Sequence, residues 1–85
     1  MTPDRDSVAA ADAILAVLAQ RDLGKTICPS EAARRIGGDR WREAMPAIHA
    51  AAAALSQERR VRLTQRGVDV AGTPVGAYRI AAVSE

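Results

Sequence analysis

The side chains able to do chemistry in this chain are few and mostly cationic. Its 85 residues hold one Cys (Cys28), one His (His49) and twelve basic residues, all Arg except Lys25. Cys28 and His49 stand far apart in sequence. No third residue is spaced to complete a nucleophile–base arrangement or a Cys/His metal set, and no Gly-rich phosphate loop follows a strand pattern. The reading is therefore of a non-enzyme with no catalytic residue, no metal and no cofactor, in a chain too short for a deep pocket. What remains is anion recognition, since guanidinium groups and helix N-termini both bind phosphate. Residues 1–31 carry three basic and five acidic side chains; residues 32–85 carry nine and five. That gathering of positive charge after the first segment points to an anionic partner.

The elements that must position these arginines follow from period and punctuation. Thr2-Pro3-Asp4 is a helix start, and Val8, Ala11, Ile14/Leu15 and Leu18 recur at helical spacing up to a stop at Gly24. This predicts a first helix at about 4–22. Thr26 and Ile27 are β-prone. Pro29 opens a second helix with Glu31 in its first turn, with Ala32, Ala33 and Ile36 inward and Arg34 and Arg35 outward, closed by Gly37-Gly38. Asp39 is a cap for the third helix, but Pro46 would break its interior, so a separate turn at 40–44, or a kink, is expected before a main helix at 45–58. Its buried stripe reads Trp41, Met45, Ile48, Ala52 and Leu55, with Glu43, Ala47, Ala50, Ala53/Ala54 and Gln57 opposite. The period then changes to two. Val61 and Leu63 alternate with Arg62 and Thr64, and Tyr78 and Ile80 with Arg79. The turn-rich 66–76 between them predicts a two-stranded hairpin with a long tip.

Helix, short strand, two helices, then strand, wing and strand is the order of a winged helix-turn-helix, an α+β fold of three helices and a small antiparallel β-wing. One domain accounts for residues 1–85, with a core at about 4–82 and a loose tail at 83–85. Hydrophobic residues make up 48%, yet 19 of them are Ala and Phe is absent. The core is accordingly small, and Trp41 and Tyr78 are expected as its anchors. A single Cys forms no intrachain disulfide, no apolar run reaches membrane-span length and no signal-peptide pattern opens the chain, so a soluble cytoplasmic protein is expected.

"CPSEAAR" at 28–34, "WREAMP" at 41–46, the alanine-rich helix, a "QRG" turn and the closing "YRI" strand together resemble a small bacterial winged-helix family catalogued as a domain of unknown function. The likeness spans about residues 12–82. His49 stands where relatives are expected to carry Arg, and "VGAYRI" where they tend to have Gly-Pro before the last strand. The resemblance implies the fold and no activity.

In a winged helix, the third helix enters the major groove while helix N-termini and the wing touch phosphates. On this reading Ser30, with Thr26, meets the backbone at the start of helix 2, and Arg34 adds charge. Arg40, Arg42 and His49 lie toward the front of helix 3, and Arg62 and Arg66 lie on the wing. Helix 3 offers no Asn, and its only Gln, Gln57, is at its far end. Binding to double-stranded DNA should then be electrostatic and weakly sequence-specific. The competing expectation is a protein-interaction module, in which the alanine face of helix 3 packs on a partner or on a second copy. Cys28, beside a helix start, is read either as a small buried hydrophobe or as a redox-sensitive thiol.

Overall fold

A computed structural model describes residues 5–20, 25–70, 74 and 76–83. The elements are α1 (Arg5–Ala19), β1 (Thr26–Ile27), α2 (Pro29–Gly37), a single 3-10 turn (Gly38–Arg40), α3 (Trp41–Gln57), β2 (Val61–Gln65), β3 (Val68–Val70) and β4 (Arg79–Ala82). α1 and α3 pack on one face of a four-stranded antiparallel sheet of order β1-β4-β2-β3, and α2 packs on these two helices. This is an α+β, winged-helix-like arrangement.

α1 ends three residues short of its expected limit; the proposed cap at Thr2-Pro3-Asp4 and stop at Gly24 lie outside the described residues. Its buried face is Ala10, Ala13, Ile14 and Leu18, and the expected Val8 is exposed. A stripe at 10, 13, 14 and 18 also has helical period, and it is the one that meets α2 and α3. Pro29 takes the first position of α2, where its missing N–H costs nothing. The Glu31 carboxylate accepts a hydrogen bond from the Cys28 N–H at 2.7 Å, and the Glu31 N–H donates to the Cys28 carbonyl at 2.9 Å. Ala32 and Ala33 are buried as expected, but Ile36, one residue from the end of α2, is 40% exposed.

The break between α2 and α3 falls at residues 38–40 rather than 40–44. Gly38 has φ 55, a left-handed value suited to glycine, and its N–H donates to the Arg34 carbonyl. Asp39 belongs to the 3-10 turn and does not cap α3, whose N-cap residue is Arg40 without a side-chain hydrogen bond. α3 then runs through Pro46. Pro46 and Arg42 are both exposed, so water can reach the carbonyl that the proline leaves unpaired. Ile48, Ala51, Ala52 and Leu55 are buried, while Trp41, Ala44, Met45 and Ala47 pack against the margin of the core.

The expected hairpin contains an additional strand. β2 pairs with β3 through a two-residue turn, Arg66-Gly67, in which both residues have positive φ (53 and 81). Positive φ at both central positions is the type I′ pattern, whose twist matches that of the strands. β4 lies between β1 and β2, in the registers Ile27↔Ile80 and Leu63↔Ile80. Ile27, Leu63 and Ile80 therefore share the helix-facing side, and all three are fully buried. Arg62, Thr64 and Arg79 share the other face. Ile80→Ala should cost about 2–5 kcal/mol by urea unfolding, a large part of a small domain's stability. Val68→Ala, at a position 66% exposed on β3, should change stability by less than about 0.5 kcal/mol.

Candidate functional site

The α2–α3 corner brings two of the expected arginines together. Arg34 leaves the last turn of α2 and Arg42 the first turn of α3, and both reach the indole of Trp41. The guanidinium carbons lie 4.9 and 4.6 Å from the ring centroid. Trp41 is half-buried on the edge of the core rather than inside it. The ring's negative face attracts the cations and orients them, while both side chains remain exposed. A guanidinium held over a ring face is oriented without being neutralised, so its charge remains available to an anion. Arg40, next to them, faces Glu43 at 3.5 Å, with both groups largely exposed, so the pair is screened and weak.

The other expected residues lie elsewhere. Ser30 is half-buried, and its hydroxyl donates to Cys28 Sγ at 3.2 Å. His49 turns inward from α3, with its Nδ1 2.7 Å from the Tyr78 hydroxyl. Arg62 is paired with Asp69 across the β2–β3 hairpin at 3.4 Å. Arg66 is exposed at the turn. The Thr26 hydroxyl accepts from Arg79 Nε, and Arg79 Nη2 donates to the Thr26 carbonyl at 3.2 Å. On the alanine face Ala50 and Ala54 are exposed, whereas Ala47 and Ala53 are half-buried. The outward surface of α3 thus presents Arg42, Glu43, Pro46, Ala50, Ala54 and Gln57.

A second cluster joins the start of α2 to β4. Burial would raise the Cys28 thiol, but hydrogen bonds from Ser30 and the positive charges of Arg79 and Arg34 bring its pKa below the ordinary value. Burial pushes the Tyr78 phenol up to about 12, and the neighbouring Cys28 adds to the rise. Nothing in the sequence singled out Tyr78 or Arg79 as more than a core residue and its exposed neighbour. The strand alternation placed them, but only the pairing of β4 with β1, and the approach of Tyr78 just before β4 to His49 of α3, supplied their partners. Among the described residues no group of three His, Cys, Asp or Glu is arranged to hold a metal ion, and no helix is long and apolar enough to cross a membrane.

Fold and site together define a small α+β, winged-helix-like domain with stacked arginines at its helix–helix corner. The model of the family described as Protein of unknown function (DUF3253) matches residues 7–83, and the chain belongs to that family. No curated protein matches it.

Burial, with the neighbouring Cys28, holds the Tyr78 phenol in its neutral form. A phenol whose pKa is raised on folding contributes its full stability below pH 10 and loses it as pH rises through about 12. Ultraviolet absorbance of this sole tyrosine should therefore titrate with a midpoint near 12, returning to the ordinary value in denaturant. Tyr78→Phe should flatten the alkaline decline in stability. An ordinary midpoint in the folded protein would show that Tyr78 is not buried in solution.

Proposed function

We propose that this domain is a winged helix that binds duplex nucleic acid through phosphate contacts, with little reading of base sequence. The observation that carries the reading is the pair of guanidiniums, Arg34 and Arg42, stacked over Trp41 at the α2–α3 corner. In a helix-turn-helix that corner approaches the DNA backbone. Stacking limits the rotamer freedom the arginines would otherwise lose on binding a phosphate. The wing residue Arg66 adds exposed positive charge, while Arg40 and Arg62 contribute less because Glu43 and Asp69 face their guanidiniums. Ser30 and His49 have protein partners and play no direct part.

The weakness of sequence reading follows from the outward surface of α3. Arg42 and Gln57 are its donors, Pro46 has none, and Glu43 repels phosphate. Ala50 and Ala54 can meet only a thymine methyl. His49, a further polar side chain of the helix, is turned toward Tyr78. The single thiol fits the reducing cytoplasm in which duplex DNA is met.

A second reading has one observation in its favour. Ala50 and Ala54 are exposed beside Pro46, forming a small, uncharged surface that a protein partner or a second copy could approach closely. On that reading Ala50→Arg should abolish a complex or dimer seen by size exclusion and leave the monomer folded.

Fluorescence anisotropy of a labelled random-sequence duplex, titrated at low and near-physiological salt, tests the first reading. Binding should weaken steeply with salt, with a log–log slope of about −0.9 per phosphate contact. The double variant Arg34→Gln/Arg42→Gln should make that slope shallower while circular dichroism stays native. Quenching or enhancement of Trp41 fluorescence should follow the same isotherm. Absence of binding even at low salt would overturn the nucleic-acid reading, and an unchanged slope in the double variant would remove the corner from it.

A further inference from the structure

The base of the wing holds a cavity that the corner does not involve. β2 and β4 pair from Val61↔Ala82 as far as Thr64↔Arg79. Beyond that point the two chains part, and the Gln65 side chain reaches across to the Ala77 carbonyl at 3.2 Å. β3 meanwhile continues along the other edge of β2. The space left open is about 860 Å³, and Cys28 lies on its wall. Pockets of this size accept small organic molecules.

Its chemistry is selective. Arg66 and Arg79 are the cationic residues of the lining, Arg79 with its Nε and Nη2 already donating to Thr26, and Thr64 is a hydroxyl-bearing one, while Val68 and Val70 are apolar. None of the described lining residues is acidic. Arg66 occupies a left-handed position (φ 53) where Gly or Asn would be less strained, and this places its long cationic side chain at the rim. Arg79 also lies near enough to Cys28, on the cavity wall, for its charge to help lower the pKa of the thiol.

We propose that this cavity binds a small organic anion, a carboxylate or phosphate monoester with an apolar body, its charge between Arg66 and Arg79 and its body against Val68 and Val70. The site is independent of the corner and of the nucleic-acid reading. A ligand there braces the strands β2 and β4 at the point where they part, and so bears on the placement of the wing.

Cys28 is the only cysteine in the chain and makes the test direct. Its alkylation by iodoacetamide is followed at constant ionic strength, with chloride replaced by benzoate or by inorganic phosphate. An anion between the arginines shields the thiol and cancels the charge that activates it, so alkylation should slow several-fold and saturably. Arg66→Asn removes a guanidinium at a residue type suited to left-handed φ, and it should weaken the protection by benzoate. Arg79→Gln should do the same. Arg42→Gln, at the corner, should leave the protection as in the native protein.

Alkylation that responds to neither anion beyond the chloride control overturns the proposal. So does protection that survives in both Arg66→Asn and Arg79→Gln. Protection by a duplex, with none by benzoate or phosphate, also overturns it and assigns the cavity to a nucleic-acid phosphate. Loss of duplex binding with retained protection by benzoate would reject the nucleic-acid reading alone.

Discussion

The insertion of β4 between β1 and β2 is the constraint from which the rest of the structure follows. Ile80 is fully buried only because β1 lies on one side of it, β2 on the other and the helices beneath. β1 precedes two helices and β4 closes the chain, so this pairing joins segments that are remote in sequence. Closing such a contact costs chain entropy before any burial is gained. The gain comes from a compact set of large side chains, Ile14, Ile27, Ile48, Leu63 and Ile80, with alanines filling the gaps between elements. Alanine lets backbones approach closely but buries little area per residue, so these few large side chains carry a disproportionate share of the core.

The same insertion assembles the polar features. Arg79 reaches Thr26 because β1 and β4 are neighbours, and Tyr78 meets His49 because β4 passes close to α3. Cys28 comes within range of Arg79 for the same reason. Three of the other cations are treated differently. Arg40, Arg60 and Arg62 each face an exposed carboxylate at 3.4–3.8 Å, and such pairs are largely screened by water and salt. Arg34 and Arg42 instead lie over an aromatic ring, which orients them without neutralising them. That difference marks the corner out from the remaining basic surface.

Much of this architecture is visible in periodicity and punctuation. Three helices, a short first strand and the alternation of β2 and β4 all follow from where apolar residues, Pro and Gly stand. The departures have specific causes. Val8 and Ile36 fit helical stripes that tertiary packing does not use in full, since a helix of given period can be rotated to bury either of two adjacent rows. Pro46 is tolerated because the carbonyl it frees faces water. β3 was hidden because its turn uses Arg-Gly where Asn-Gly or Asp-Gly would have announced a tight hairpin.

Residue types and their order therefore determined the kinds of element, their sequence along the chain, the small alanine-rich core and the surplus of arginine after the first helix. These are local or compositional properties, legible wherever a period of 3.6 or 2 is sustained. Tertiary structure alone decided what each polar group does. His49, expected to face outward, meets Tyr78; Trp41, expected as a core anchor, sits at the margin beneath two guanidiniums; Arg62 is tied to Asp69; and Arg66 and Arg79 border one cavity. The reason is physical. A side chain's partner is set by which strands and helices become neighbours, and those contacts join residues whose separation in sequence carries no record of them.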